Sequence, residues 1–275
     1  MSRTYLKKAQ LTPKSNASEV HETVKNIFTD IKAGGDEKAI EYASKFDQYQ
    51  GNIILTDEEI EAASELDPAK RKRDIEFAHD NVRRFPEKQK ETLKNTEIEF
   101  HPGFVIGQKV IPVDAAGCYV PVGRYSHIAS AIMTETTAKV AGCKFITACS
   151  PPKPNVGVAP AIVYAARICA ADKIIAMEGV QGVASMTYGL FGLPQANILV
   201  GPGNQFVAGA KRILFGRVGI DMIAGPTDSL ILADESADPF IVATDLVSQA
   251  EHGYNSSVWL ATNNEALASK VMNLV

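Results

Sequence analysis

The sequence predicts an α/β protein with two Rossmann-like parallel-sheet domains, one inserted in the other, and a helical N-terminal segment. Three observations carry that expectation. Up to about residue 110 the chain reads as polar amphipathic helices. Beyond it, short apolar β-rich runs alternate with stretches long enough for three-turn helices. Glycine-bearing turns then follow directly on several of the apolar runs. Strand alternating with helix implies βαβ units and parallel sheets, whose ligands bind beyond the carboxyl ends of the strands.

In chain order, residues 18–32, 36–46, 56–65 and 68–84 read as helices, several opened by Ser, Asp or Thr caps with acids in the first turn. The expected strands are 109–113, 144–149, 173–177, 197–200, 229–233 and 257–262. Between them, 128–141, 158–171, 180–190, 204–215 and 239–252 are expected to be helical. The domain division expected from this pattern joins 1–118 to 224–275, with 119–223 as the inserted domain. After the last strand, Asn263 reads as an N-cap with Glu265 in the first turn, and the helix runs through Leu267, Val271, Leu274 and Val275 without a capping glycine. A helix ending on its apolar face leads us to expect that the chain is a fragment of a longer protein.

Composition narrows the class. Of 275 residues, 45% are hydrophobic and 22% charged, as in an ordinary soluble globular protein, so disordered and fibrous readings fall away. A net charge of -4 and a pI near 5.8 give no general pull toward nucleic acid or anionic membrane. The dense basic run from Lys70 to Arg73 reads as a solvated helix face. The N-terminus lacks a signal-peptide core and no apolar run is long enough to span a membrane, so the expected location is cytoplasmic. Cys118, Cys143, Cys149 and Cys169 show no C-x-x-C spacing and sit among apolar residues, as reduced buried thiols do. Cys118 precedes a loop and is conceivable as a nucleophile, yet nothing adjacent in sequence would lower its pKa.

Four groups of residues carry chemistry. Gly201-Pro-Gly-Asn204 follows the run Ile198-Leu-Val200 and opens a helix, where exposed N–H groups favour an anion; equally, it is a tight turn with Asn204 as N-cap. No G-x-G-x-x-G fingerprint accompanies it. Gln181 also follows an apolar run and starts a helix, as a ligand contact or as an exposed first-turn residue. Ala224-Gly-Pro-Thr-Asp228 ends in a hydroxyl and a carboxylate that a turn does not require. Gln249-Ala-Glu-His252 places an amide oxygen and an imidazole one turn apart on a helix face, suited to one metal ion; the alternative is a histidine interacting with the helix dipole before the cap Gly253. Two ligands fall short of the three that a catalytic zinc takes from protein.

Taken together, Gly117-x-Tyr119-Val-Pro, Ala138-Lys-Val-Ala-Gly142, Ser150-Pro-Pro152, Gly201-Pro-Gly-Asn204, Ala210-Lys-Arg212, Phe215-Gly-x-Val-Gly-Ile-Asp221, Ala224-Gly-Pro226, Ala233-Asp234 and Gln249-Ala-Glu-His252 occur in an order that resembles the histidinol dehydrogenase family, from about residue 20 to the end. The resemblance implies a zinc-dependent, NAD-linked enzyme of L-histidine biosynthesis that oxidises a primary alcohol through an aldehyde to a carboxylate, using two NAD in succession. It implies NAD contacts at Tyr119, Gln181 and Asn204, zinc ligands at Gln249 and His252 that also touch substrate, and a substrate-contacting hydroxyl at Thr227. It further implies a small-molecule alcohol as substrate, a homodimer, and no nucleic-acid or membrane partner. The family's proton-transferring Glu-His pair and its remaining zinc ligands fall beyond Val275, so no catalytic residue is assigned here. His21, His79, His101 and His127 do not sit at the family's ligand positions.

Departures from the family bear on substrate. Asp228 stands where Glu is usual, Val122 and Glu178 where Gly is common. The start Tyr5-Leu-Lys-Lys-Ala9 and the segment Gly123-Arg-Tyr-Ser-His-Ile-Ala-Ser-Ala131 look more like a sulfopropanediol dehydrogenase branch, and Arg124 would suit a sulfonate or carboxylate. Other readings are a non-catalytic remnant that binds nucleotide without turnover, and an unrelated phosphate-ligand enzyme, which leaves Gln249 and His252 unexplained.

Overall fold

The computed structural model describes residues 4–8, 17–122, 126–154, 156–223, 227–250 and 256–275. The chain forms two compact units, 17–224 and 225–275, with 1–16 grouped with the second. The sequence division instead placed 1–118 with 224–275.

The larger unit opens with α1 (Ala17–Phe46), interrupted at Gly35, whose φ of 58° and ψ of -142° split it at the boundary expected between 18–32 and 36–46. The helix α2 (Asp57–Glu65) starts from a capping box: Thr56 Oγ1 accepts from Glu59 N at 3.2 Å and Glu59 Oε2 accepts from Thr56 N at 2.8 Å. The third, α3 (Ala69–Glu91), runs past the expected end at residue 84 and through Pro86. Pro86 is buried, and Lys90 Nζ near the helix end donates to Val140 O at 2.7 Å, so packing outweighs the one missing N–H.

An antiparallel hairpin follows, β1 (Thr96–His101) and β2 (Phe104–Gln108), exposed along its whole length and absent from the sequence expectations. The strand expected at 109–113 does not form. Ile111 is 71% exposed, Pro112 has no N–H to donate, and Val110 N donates to Asn95 Oδ1 rather than to a strand partner. The strand begins instead at β3 (Ala115–Tyr119), whose five residues are all buried.

Around β3 lie β4 (Phe145–Ser150), β5 (Lys173–Ala176), β6 (Ile198–Val200) and β7 (Gly219–Ile220), in the order β5-β4-β3-β6-β7 with every pair parallel. Side chains alternate across the sheet. Tyr119, Cys149, Ile175 and Leu199 meet α6 (Gly179–Tyr188) and α7 (Gln205–Leu214), with α1 outside them. Ala148, Ile174 and Ala176 meet α4 (Ile128–Ala141) and α5 (Pro160–Ile168), with Ile75 of α3 joining them. The N-terminal helices therefore belong with this sheet because their apolar stripes cover its helices on both faces. The central strands β3 and β4 are buried on both sides, as in doubly wound parallel sheets, while β7 at the edge is more open.

The second unit pairs β8 (Ser229–Ala233) with β9 (Val258–Thr262) in parallel, connected through α8 (Pro239–Ala250) and followed by α9 (Glu265–Leu274). Its core is small: Val242, Ala243, Leu246, Leu267 and Val271. The cap of α9 is Asn264, one residue later than expected, accepting from Leu267 N at 2.8 Å. All four cysteines are free and buried, and burial holds the Cys118 thiol well above its usual range, which disfavours the thiolate a nucleophile needs. Along the basic run, Lys70 and Arg71 pair with Asp74 and Asp67 on their own helix side. Among the described residues no helix is long and apolar enough to cross a membrane.

One buried group is at odds with its surroundings. Glu135 of α4 is fully buried and neither carboxyl oxygen has a hydrogen-bond partner. Burial raises its carboxyl well above the ordinary value near 4.5, so the group is protonated in the fold and titrates earlier in the unfolded chain. Its contribution is therefore most favourable below about pH 4.5 and is lost as pH rises toward the folded value. We expect Glu135→Leu to stabilise the protein by about 1–3 kcal/mol at pH 8, with a smaller gain at pH 5, in urea unfolding at the two pH values. A loss of stability at both would show that the carboxyl has a partner in solution.

Candidate functional site

The strand order reverses direction between β3 and β6. The chain runs outward from β3 through β4 to β5, then returns to β6 on the other side of β3 and continues to β7. At such a switch point the two connections leave the sheet on opposite faces and open a crevice at the carboxyl ends. Tyr119 is the last residue of β3, and Gly201 follows the last residue of β6. The two backbones touch: a Cβ on Gly201, whose φ is +110°, would lie 2.1 Å from Tyr119 O. Only glycine fits there.

The Gly201 loop is held from beneath. Asp221, just after β7, accepts from Gly201 N through Oδ2 at 2.8 Å. Lys211 of α7 is 4% exposed; its Nζ donates to Gly201 O at 2.9 Å and forms an ion pair with Asp221 Oδ1. Both polar groups of Gly201 are thus satisfied by one ion pair, its lysine buried and its aspartate partly open to solvent. Sequence reading placed Lys211 and Asp221 in motifs but gave them no role; a lysine on the apolar side of a helix, ten residues before an aspartate, was the available signal.

Asn204 caps α7, its Oδ1 accepting from Phe206 N at 3.0 Å and Val207 N at 3.1 Å. The cap reading therefore holds, and it leaves the side-chain nitrogen to offer a ligand. Tyr119 is buried, with its hydroxyl accepting from Gly179 N at 3.0 Å, and burial raises the phenol far above its ordinary range, keeping it protonated. Gln181, in the first turn of α6, is 2% exposed rather than the exposed polar residue of the alternative reading. Its Nε2 donates to Asp47 Oδ1 at 2.8 Å, while Asp47 Oδ2 accepts from Glu178 N at 3.0 Å. Asp47 went unnoticed in the sequence because it lies beyond α1, more than 130 residues from its partners.

Tyr119, Gln181 and Gly201 thus converge at the carboxyl ends of β3, β5 and β6, with the N-termini of α6 and α7 beside them. Most N–H groups at these helix starts are already taken by Asn204, Asp47 and Tyr119, so the starts favour an anion through the helix dipole, and the buried amide and phenol suit the polar edges of a nucleotide.

In the second unit, Gln249 Nε2 in the last turn of α8 donates to Thr227 O at 3.1 Å, joining two of the residues singled out in sequence. Asp228 Oδ1 accepts from Ser257 N at 3.2 Å. With its nitrogen taken, Gln249 keeps its oxygen, the one amide atom that binds metal. His252, Ala224, Gly225, Pro226 and Arg124 lie outside the described residues. Among the described residues no group of three or more His, Cys, Asp or Glu side chains could hold a metal ion.

Comparisons with known proteins agree with this architecture. The histidinol dehydrogenase family profile matches residues 10–275. The chain is 72% identical over 275 residues to the sulfopropanediol 3-dehydrogenase of Ruegeria pomeroyi, covering 100% of this chain and 63% of that protein. It is 38% identical over 262 residues to a histidinol dehydrogenase of Bacteroides fragilis, covering 94% of this chain and 61% of the relative. The crystal structure of histidinol dehydrogenase from Elizabethkingia anophelis superposes with a TM-score of 0.85 at 35% identity, over 96% of this chain and 61% of that one. The chain therefore spans less than two thirds of the length of these relatives. An α/β core with its strand reversal at Tyr119 and Gly201, together with these matches, identifies the chain as a member of the histidinol dehydrogenase family.

Proposed function

We propose that this chain carries the nucleotide-binding part, and some of the substrate-binding part, of an NAD-linked dehydrogenase that oxidises a primary alcohol through an aldehyde to a carboxylate. The observation that carries the reading is the meeting of Tyr119 and the Gly201 loop at the strand-order reversal, where doubly wound folds hold dinucleotides. The dipoles of α6 and α7 would favour the pyrophosphate at their starts, although most of the first N–H groups there are engaged within the protein. Asn204 would donate through its nitrogen, Gln181 would accept through its oxygen, and the protonated Tyr119 would bound the pocket beneath them. Bound NAD would supply the hydride acceptor.

Thr227, Gln249 and His252 would contact the substrate, and Gln249 and His252 would be this chain's ligands to Zn2+. The Gln249 oxygen fits that role because Thr227 O already holds the nitrogen. Zinc, when bound, would supply Lewis acidity at the alcohol oxygen. A small sulfonated diol of the sulfopropanediol kind is the substrate we favour, supported by the 72% identity to an enzyme of that name. Asp228, shorter than the family's usual glutamate and tied to Ser257 N, is consistent with a substrate other than an amino alcohol. L-Histidinol is the second reading, supported by the histidinol dehydrogenases among the relatives. A cytoplasmic homodimer with no nucleic-acid or membrane partner completes the proposal.

The test is NADH formation by the full-length protein with sulfopropanediol and, separately, with L-histidinol. We expect two NADH per sulfopropanediol consumed and little turnover of histidinol. Turnover of histidinol alone would establish the second reading, and inertness toward both would overturn the dehydrogenase assignment in favour of a binding remnant. His252→Ala should abolish turnover while leaving NADH binding intact. Lys211→Met, which removes the clamp on the Gly201 loop, should weaken NADH binding by roughly tenfold and cost about 1–3 kcal/mol of stability, read by calorimetric titration and urea unfolding.

A further inference from the structure

Asp47 is 5% exposed, follows α1, and hydrogen-bonds the start of α6 on the far side of the chain. It binds nothing on its own helix through its side chain. Its two oxygens are divided between Glu178 N and Gln181 Nε2. Burial pushes the carboxyl up to about 6; the Glu178 N–H opposes this, the Glu178 charge adds to it, and the bond from Gln181 opposes it again. A desolvated carboxylate is an expensive way to hold a helix start that a serine or asparagine cap would hold as well.

The chemistry of the amide explains the choice. An amide can turn either end toward a neutral partner, but an ionised carboxylate only accepts, so Gln181 must present its nitrogen to Asp47. Its oxygen is then left over. Among the described residues nothing donates to Gln181 Oε1, and it lies 3.7 Å from where a Cβ of Gly179 would stand, so the missing side chain of Gly179 leaves space beside it.

We propose that Asp47 is a positioning residue for the ligand-binding face of Gln181: by accepting from Nε2 it fixes which way round the amide lies, so that the oxygen is presented to a donor such as a ribose hydroxyl or carboxamide N–H of the bound nucleotide. The inference rests on the reading of Gln181 as an NAD contact. Asp47→Asn is the informative substitution, because asparagine keeps the shape yet has one acceptor oxygen for two donors.

The experiment is calorimetric titration of the full-length protein with NADH at pH 8, comparing wild type, Gln181→Ala, Asp47→Asn and the double variant. Gln181→Ala should weaken binding roughly tenfold, Asp47→Asn by a similar factor, and the double variant should bind no more weakly than Gln181→Ala alone. Additive losses, or wild-type affinity in Asp47→Asn beside a weakened Gln181→Ala, would overturn the positioning role. Unchanged affinity in Gln181→Ala would instead overturn the NAD contact itself.

A pH series on wild type and Gln181→Ala covers the case in which Asp47→Asn does not fold. Facing Asp47 are Glu178 from the start of α6, Tyr119 from β3 and Cys149 from β4. Burial keeps Tyr119 and Cys149 neutral from pH 5 to 8, and Glu178, raised by burial as well, is common to both proteins. Protonated Asp47 no longer dictates the amide's orientation, so wild type should lose NADH affinity as pH falls through about 6 while Gln181→Ala stays flat. Parallel slopes in the two proteins would overturn the proposal.

Discussion

The close passage of two backbones at the carboxyl ends of β3 and β6 is the constraint on which the candidate site depends. Gly201 lies so near Tyr119 O that no side chain fits between them, and this approach brings the ends of both strands to one place. Close approach leaves polar backbone groups out of reach of water, so each needs a partner within the protein. The Lys211–Asp221 pair meets that need at Gly201, taking its N–H and its carbonyl together. The pair is charged where neutral hydrogen bonds would suffice for stability alone, and what it secures is the position of a loop.

The same logic governs the other walls of the crevice. Gly179 N, near the start of α6, is taken by the Tyr119 hydroxyl, and Glu178 N by Asp47. Each of the three polar side chains assigned to nucleotide has one end engaged by protein: Asn204 through its oxygen, Gln181 through its nitrogen, Tyr119 as acceptor of an N–H. Asn204 is left with its N–H donors, Gln181 with its oxygen and one further N–H, and Tyr119 with its hydroxyl proton. A nucleotide site preorganised in this way would distinguish ligands by which of their atoms are donors and which are acceptors.

Much of this fold was legible in the sequence, and the limits have physical causes. The apolar run at β4 reflects a central strand buried on both faces, and the helical stretches around it reflect helices packed against the sheet, so burial itself wrote that part of the pattern. β3 escaped because Ala115-Ala-Gly-Cys-Tyr119 is built of small residues; a central strand that must let Met186 and Leu199 close over Gly117 has no room for the branched side chains by which strands are recognised. The neighbouring Val110-Ile-Pro-Val113 has those side chains and lies exposed. The hairpin of β1 and β2 was missed although Glu97-Ile-Glu-Phe100 alternates and Pro102-Gly103 marks its turn, because it sits where the chain otherwise reads as helical. At the site, Tyr119, Gln181 and Asn204 came from motif order, whereas Asp47 and Asp221 act across long separations or after a two-residue strand, and no local spacing announces such contacts.

Two buried carboxyls separate structural cost from functional use. Glu135 is sealed between α4 and the sheet with no donor for either oxygen, and it is neutral because charge there would find no partner. Asp47 is almost as buried, yet both its oxygens accept, and its carboxyl rises only to about 6. The difference is the presence of two N–H groups aimed at it, one from backbone and one from the very side chain assigned to the nucleotide. A carboxyl kept ionisable at a crevice imposes direction on its neighbour, since an anion accepts and never donates. Desolvation is a cost at both carboxyls; at Asp47 it is borne by an accepting group that sets which way round an otherwise ambivalent amide lies.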